Sequence, residues 1–451
     1  GDWLTERLHE LASLPNVQTL SRTTVFGAYD RGTFAAVERV TDHLPAADRG
    51  FLPRHRYWQI QARAAIIATG AIERGIALPG NDLPGVMLAS AARGYLHEHG
   101  VIGGRRPVVF TNNPSGYEAA LELQRAGVRV QAVVDPGPRL DDAVVHELHE
   151  AGVPFYWHSQ IEAVKGRGRV QAALMRDDIG ALRDIPCDQL LLSGGWNPSL
   201  HLVAHKGIKP HWDDQLQTFL PPRSAGDLTV VGAAAGRFEL EGCLADGVND
   251  AVDLCRRLGF DARTPGLPKL EDNTAYTITG CFAVRGAGKG KAFVDLQNDV
   301  TVDDIELAVR EGYRSVEHAK RYTTLGMATD QGKTAGILGH AILAEALGRS
   351  MAETGTTGFR PPYTPVAIGA LAHHHSGRHF APTRRTALHD VQARRGAVFF
   401  ETGLWLRARY FPRDGEDMAA ASRREVEAVR GSVGIADTTP LGKIELTGPD
   451  A

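Results

Sequence analysis

Apolar and polar positions alternate along this chain with two different periods, and the changes of period divide it. Residues 3–12 (WLTERLHELA) place apolar residues at helical spacing, and the next stretch, VQTLSRTTVFGAYDRGTFAAVERVTDHL, switches to two-residue alternation punctuated by Gly and Asp-Arg-Gly. That change predicts one helix and then the strands of a β-meander. Residues 58–70 (WQIQARAAIIATG) give a strong strand signal whose apolar end stops at Thr69-Gly70, the pattern of a buried central strand. From 107 the order is strand, turn, helix, strand: PVVFTNN, PSGYEAALELQRAG, VRVQAVVD. This is a βαβ unit with helix-start residues Asn112, Asn113 and Ser115. A helix over 141–151, a strand over 153–157, strands in VQAALMR and DQLLLSGG, a buried strand in LTVVG (228–232) and a helix over 240–257 follow. The order fits two α/β blocks, one inserted into the other.

Residues 261–290 are rich in Pro, Gly and polar residues and read as a linker. Beyond them lie FVDLQNDVT, a helix over 303–311, SVEHAKRYTTLGMATDQGKT and a helix over 336–347, which together predict a small α unit. Irregular chain holding Pro361, Pro362, Pro365 and Pro382 comes next, then an amphipathic helix over 418–430 and the strand-like Lys443–Leu446.

Composition narrows the function. The 451 residues are 43% hydrophobic and 23% charged, ordinary globular values that leave room for about three domains. A net charge of −3 with no basic stripe argues against nucleic acid. The longest apolar runs, such as Ala64–Ala68 and Ile337–Ala346, fall far short of the ~20 residues that span a bilayer. Cys187, Cys243, Cys255 and Cys281 form no CxxC pair, so neither a disulfide framework nor a zinc site is signalled, and a soluble cytoplasmic protein is expected. The chain opens on Gly1 and stops soon after a strand-like segment, so further sequence is expected on each side.

Two turns carry candidate chemistry. In two-dinucleotide flavoproteins an Ala-Thr-Gly turn after a buried strand passes close to the cofactor, because Gly lets backbone approach phosphate or ribose. Here that turn is Ala68-Thr69-Gly70, and a later strand ends in Gly232-Ala233-Ala234-Ala235-Gly236. The carboxylate that would follow Gly232 and touch a flavin's ribityl chain is absent, which favours NAD over FAD; two core strands with tight turns would also read this way. The βαβ turn, Thr111-Asn112-Asn113-Pro114-Ser115-Gly116, keeps one glycine of GxGxxG, and Pro114 removes an amide that could donate to a pyrophosphate. Asp135, at the next strand's end, reads as a strand cap rather than a ribose ligand.

The succession ATGAIER, PGNDLPGVMLASAARGYL, VVFTNN, LLSGGWNPSLHL, VGAAAG, KAFVDLQNDVT, KRYTTLGMATDQGKT and GTTGFRPPYTPV resembles the α subunits of heterotetrameric sarcosine oxidase along nearly the whole chain. The resemblance implies an α/β FAD/NAD(P)-binding, disulfide-reductase-like two-dinucleotide fold. After it come a small ferredoxin-like α unit without cluster cysteines and the start of an aminomethyltransferase-like α+β domain. The domains it implies are 1–104, first dinucleotide-binding domain; 105–200, inserted Rossmann-like domain; and 201–262, return to the first. A linker (263–290), the ferredoxin-like unit (291–350), a Pro-rich connector (351–394) and the start of a folate-binding domain (395–451) follow.

The activity implied is oxidative demethylation of sarcosine to glycine, with oxygen reduced to hydrogen peroxide and the one-carbon unit passed to tetrahydrofolate. The partners implied are a β-type flavoprotein subunit, bringing FAD and a covalently attached FMN, and two small subunits; the α subunit is the NAD-holding scaffold. By this resemblance NAD is held by Val25, Thr69, Gly70, Ala71, Gly232, Ala233 and Gly236. Residues 295–335 also resemble the [2Fe–2S] domain of opine and hydroxyproline dehydrogenase subunits, but the four cysteine positions are Asp295, Gln297, Asp330 and Ala335, and a cluster requires thiolates. The donors left there, Arg321, Thr323, Thr324, Gln331, Lys333 and Thr334 with Lys320, suit the phosphate of an FMN shared with a partner. REVEAVRGSVGIADTTPLGKIELTGPDA resembles the opening of the aminomethyltransferase fold, whose tetrahydrofolate residues are expected beyond Ala451.

The remaining features point away from chemistry. His373, His374, His375 and His379 lie in a polar loop without a carboxylate cluster, so no metal is expected, and Cys281 reads as a bystander. No nucleophile or catalytic dyad is legible, which places amine oxidation on a partner chain. The alternatives are a subunit of a related amine, opine or hydroxyproline dehydrogenase, a non-catalytic scaffold, or a stand-alone flavin reductase, the last disfavoured by the missing cysteine pair.

Overall fold

A computed structural model describes residues 2–140, 143–268, 270, 275–286, 288 and 290–450. The chain divides into two compact units, one running to Val366 and one from Ala367.

The first unit opens on the helix Asp2–Ser13 and an antiparallel meander of Thr23–Tyr29, Thr33–Arg39 and His55–Gln61. Its first hairpin turns through the three residues 30–32, with Arg31 and Gly32 at positive φ (55° and 68°), a conformation glycine adopts without strain. Gly32 has no room for a side chain, since a Cβ would lie 2.1 Å from the Ala62 carbonyl oxygen. The single strand expected over 58–70 is two strands, His55–Gln61 and Ala65–Ile67. The break has a hydrogen-bonding cause. Ala62 N–H still donates to Gly32 in the meander, whereas Ala65 N–H donates to Asp227 in a different, parallel sheet.

In that second sheet Ala65–Ile67 pairs with Leu228–Val230, residue 65 beside 228 and 67 beside 230. Everything between them in sequence is inserted between two neighbouring strands, the arrangement the element order implied. The insert is a five-stranded parallel sheet in the order Val86–Leu88, Gln189–Ser193, Pro107–Thr111, Ala132–Val134, Phe155–Tyr156. The helices Pro114–Arg125 and Ala143–Glu150 provide its crossovers, and the antiparallel strands Gln160–Gly166, Val170–Arg176 and Leu182–Pro186 intervene before Gln189–Ser193. Alternate residues of the central strands serve opposite layers. Val108, Phe110, Leu190 and Leu192 pack with the antiparallel strands, while Val109 and Leu191 pack under the helices with Tyr117 and Leu148. Burial on both faces is why these strands read as unbroken apolar runs.

Helix Leu240–Arg257 closes the body, and the chain reaches the small unit through 263–290. The described residues of that stretch are irregular, as its composition predicts, but its latter part is no free linker: Val284 is buried and Phe282 and Cys281 pack on neighbouring cores. In the small unit a Thr301–Asp304 capping box starts Val302–Arg310, and Ser315 caps Val316–Thr323. Val302–Arg310 packs on both Val316–Thr323 and the apolar Gly336–Leu347, and the three share one core with Ile305, Leu338 and Ile342.

The second unit holds helices Ile368–Ala372 and His389–Arg394, the hairpin Val398–Thr402 with Trp405–Tyr410, and helix Met418–Gly431 capped by Asp417. The strand expected at Lys443–Leu446 is not formed. It has no ladder partner among the described residues, and Ile444 and Leu446 stand exposed. A strand needs a neighbour to receive its N–H and C=O groups.

Candidate functional site

After Ala65–Ile67 the chain turns at Thr69 and Gly70, whose φ of 70° and open surroundings leave its backbone uncovered. The turn is clamped on both sides: Thr69 Oγ1 donates to the Ser199 carbonyl at 2.9 Å, and Ser199 N–H donates to the Gly70 carbonyl at 2.9 Å. The neighbouring strand ends in a tight helical turn, Gly232–Ala235, entered at Gly232 (φ 64°) and left at Gly236 (φ 86°). Gly232 has space beside Cys243, whereas a Cβ on Gly236 would lie 2.7 Å from Leu220, so Gly236 serves packing.

Ala71 and Ala233 line one recess of about 230 Å³ together with Ser115, Trp196, Phe238 and Tyr276. Val25 and Thr69 line a separate hollow of about 560 Å³ beside His201. The seven residues proposed for NAD thus surround two adjoining strand ends, with Gly70 at the divide.

Two side chains next to the recess escaped the sequence reading, though both stand in the quoted motif ATGAIER. Glu73 is buried and accepts from the Ser90 N–H at 2.7 Å, at the start of helix Ala89–His99; burial raises its carboxyl pKa. Arg74 has no exposed surface at all. It donates to Asn197 Oδ1 at 2.9 Å and to the Trp196 carbonyl at 3.2 Å, and its guanidinium lies 5.2 Å over the Phe282 ring. Burial lowers its pKa to about 10, so it stays charged at neutral pH, yet its Nε and Nη2 lack hydrogen-bond partners among the described residues. The hydroxyl of Tyr276 is likewise unpartnered, and burial raises its pKa. A charged pair directly after an apolar strand was the available signal; Tyr276, in the supposed linker, gave none.

A larger cavity, about 710 Å³, opens between Asn197–Trp212 and the small unit. Gln331 and Lys333 line it; Arg321, Thr323, Thr324 and Thr334 do not. Lys333 Nζ sits 4.2 Å over the ring of Tyr363, which stacks on His201 at 3.8 Å, and Lys333 makes no ion pair among the described residues. Gln331 fixes the wall, donating to the Arg360 carbonyl and accepting from the Arg360 N–H at 2.9 Å. Arg321 is exposed and bound to Glu317 one turn earlier, at 2.8 Å. Thr323 and Thr324 hydroxyls donate to the carbonyls of Ala319 and Thr323, as a helix C-terminus requires. At the cluster-cysteine positions, the Asp295 carboxylate instead accepts from the N–H groups of Gln297, Asn298 and Gly326. Among the described residues no group of His, Cys, Asp or Glu is placed to hold a metal ion, and no helix is long and apolar enough to cross a membrane.

Three family models match successive parts of the chain. Residues 8–221 match the pyridine nucleotide-disulphide oxidoreductase model, 289–375 the sarcosine oxidase A3 domain, and 388–451 the GCVT N-terminal domain. A solved structure, L-proline dehydrogenase from P. horikoshii, superposes with a TM-score of 0.58 over 81% of this chain and 68% of that one; at 19% identity it speaks for the fold. The sarcosine oxidase subunit alpha of Rhizobium meliloti (strain 1021) is 46% identical across 100% of this chain and 45% of its own length. That of Corynebacterium sp. (strain P-1) is 38% identical across 100% of this chain and 48% of its own length. The chain therefore spans about half the length of the curated relatives it matches. Matched from end to end, the chain is a homologue of sarcosine oxidase α subunits along its whole length.

Proposed function

We propose that this chain is the NAD-holding, FMN-flanking part of the α subunit of a sarcosine oxidase-type complex, acting with a β-type flavoprotein subunit and two small subunits. The complex demethylates sarcosine to glycine, reduces oxygen to hydrogen peroxide and delivers the one-carbon unit to tetrahydrofolate. The observation that carries the reading is the match to sarcosine oxidase α subunits along the whole chain, joined to glycine turns at positive φ that end two adjacent parallel strands, the one at Gly70 open. The residues present fit NAD. Gly70 leaves backbone open to a phosphate or ribose, and Ala233, after the buried Gly232, offers no carboxylate to a ribityl chain. Bound NAD supplies a nicotinamide able to exchange hydride; this chain's part is to hold it, with Thr69 and Ser199 keeping the turn rigid.

For the flavin phosphate, Lys333 lines the cavity and makes no ion pair among the described residues, and Gln331 fixes its loop; Arg321 would first have to leave Glu317. A charge-assisted hydrogen bond to phosphate contributes roughly 1.5–3 kcal/mol, so Lys333→Ala should lower the flavin-to-protein ratio of the co-expressed, co-purified complex by about one to two orders of magnitude in retention. Arg321→Ala should cost less, and Arg263→Ala nothing. Full FMN content and normal turnover in both Lys333→Ala and Arg321→Ala would place the phosphate site elsewhere.

A further inference from the structure

In open parallel sheets a dinucleotide lies outside the carboxyl ends of the strands, at the point where strand order reverses. In the inserted sheet that point falls between Pro107–Thr111, which leads on to Ala132–Val134, and Gln189–Ser193 on its other side. The chain itself fills this crevice. Thr279 N–H donates to the Asn112 carbonyl at 3.0 Å, and Asn112 Nδ2 donates back to the Thr279 carbonyl at 2.7 Å. Ile278 lies over the turn after Gln189–Ser193, where a Cβ on Gly195 would meet its Cδ1 at 2.6 Å. Thr279 lies over the turn after Ala132–Val134, where a Cβ on Gly137 would meet its Oγ1 at 2.6 Å. Beyond it Cys281 packs on the sheet's core, and Phe282 and Val284 hydrogen-bond the backbone of Ala77.

The groups that would meet a nucleotide are committed elsewhere. At the second fingerprint position, where glycine admits phosphate, Asn113 turns its Nδ2 to the carbonyl and hydroxyl oxygens of Ser193 at 3.0 and 3.1 Å. Asp135, placed like a ribose-binding acid, accepts from the Tyr117 hydroxyl and from the Gly137 N–H. The glycine that survives, Gly116, serves packing, since a Cβ there would lie 2.4 Å from the Thr111 side chain. We propose that residues 278–281 are the resident occupant of the switch-point crevice. The inserted Rossmann unit is then a receptor that anchors the strap leading into the small helical unit, and not a second nucleotide site.

Cys281 reports on the strap, because its thiol is partly buried against the sheet's core and lifting the strap exposes it further. On the purified full-length protein, N-ethylmaleimide labelling of Cys281 and hydrogen exchange at 111–113 and 278–281 are read by mass spectrometry, with and without millimolar NADH or NADPH; Ser115, which lines the recess proposed for NAD, is left out of the readout. The expected result is slow labelling that neither nucleotide changes, and no nucleotide protection at 111–113. Asn112→Ala, which removes one of the two strap bonds at this turn, should speed Cys281 labelling roughly tenfold, whereas Thr279→Ala, which keeps both, should not. Nucleotide-dependent protection at 111–113, or nucleotide-accelerated labelling of Cys281 in the unmodified protein, would show an accessible crevice and overturn the proposal. So would an Asn112→Ala protein, folded by circular dichroism, that labels at the original rate.

Discussion

A single absent carboxylate gives the sharpest test at the level of one residue. Ala233 follows Gly232 and lines the recess shared with Ala71, at the place where a flavin-binding relative of this fold would present an acid. If that absence selects NAD, Ala233→Asp should raise FAD retention relative to NAD by at least about tenfold, the worth of one charge-assisted hydrogen bond. Chromatography of nucleotides released from the purified full-length protein measures the ratio. An unchanged ratio would mean that selection rests on other residues. The residues read from resemblance fared unevenly as a set: Lys333 and Gln331 face one cavity, while Arg321 is tied to its own helix. Twelve positions of sequence separate Arg321 from Lys333, and only the path of the intervening turn decides whether they share a site.

Among the elements, the turn between Val316–Thr323 and Gly336–Leu347 depends on Asp295. Its buried carboxylate receives three backbone N–H groups from two loops, so it ties the hairpin of Phe293–Asp295 and Val300–Thr301 to the turn at Gly326. Asp295→Ala would leave three donors without their acceptor and should destabilise the protein by roughly 2–4 kcal/mol, with Asp295→Asn costing less. Urea unfolding with and without each substitution checks it, and a loss under about 0.5 kcal/mol for Asp295→Ala would show that solvent satisfies the turn as well. A related protein with thiolates here would hold this turn through a cluster; this chain holds it through hydrogen bonds.

For the molecule as a whole, buried histidines set the response to acid. His340 is almost fully buried with Nδ1 unpartnered, and burial lowers its pKa to about 4; His201, also buried, is lowered to about 3. Unfolding returns both to near 6.5, so the unfolded chain binds more protons between about pH 6.5 and the folded values. Their contribution to stability is complete above that window and is lost as pH falls through it. Asp135 opposes them: burial raises its carboxyl to about 6, a contribution present in acid and lost as pH rises toward 6 and beyond. The histidine effect is the larger, so the urea midpoint should fall between pH 7 and 4.5. His340→Leu should recover on the order of 2 kcal/mol of that loss. An acid dependence identical in His340→Leu would assign the effect to other groups.

The sequence by itself determined what depends on near neighbours. Helices 240–257 and 336–347 have the bounds their apolar spacing predicts, because helical periodicity and hydrogen bonds close within one turn. The nesting of two α/β blocks was legible in element order, and the loss of cluster chemistry in the identity of four residues. Only the tertiary structure decided which backbone groups met across long separations. It broke 58–70 into two strands when Asp227 took the Ala65 amide, and left Lys443–Leu446 without a ladder. It also buried Arg74 against Phe282 and laid Thr279 on Asn112, so that a stretch composed like a linker became part of the core. Pro, Gly and polar residues mark chain that makes no regular ladder of its own; they do not mark where that chain's hydrogen bonds go, and every buried backbone group has to find a partner somewhere.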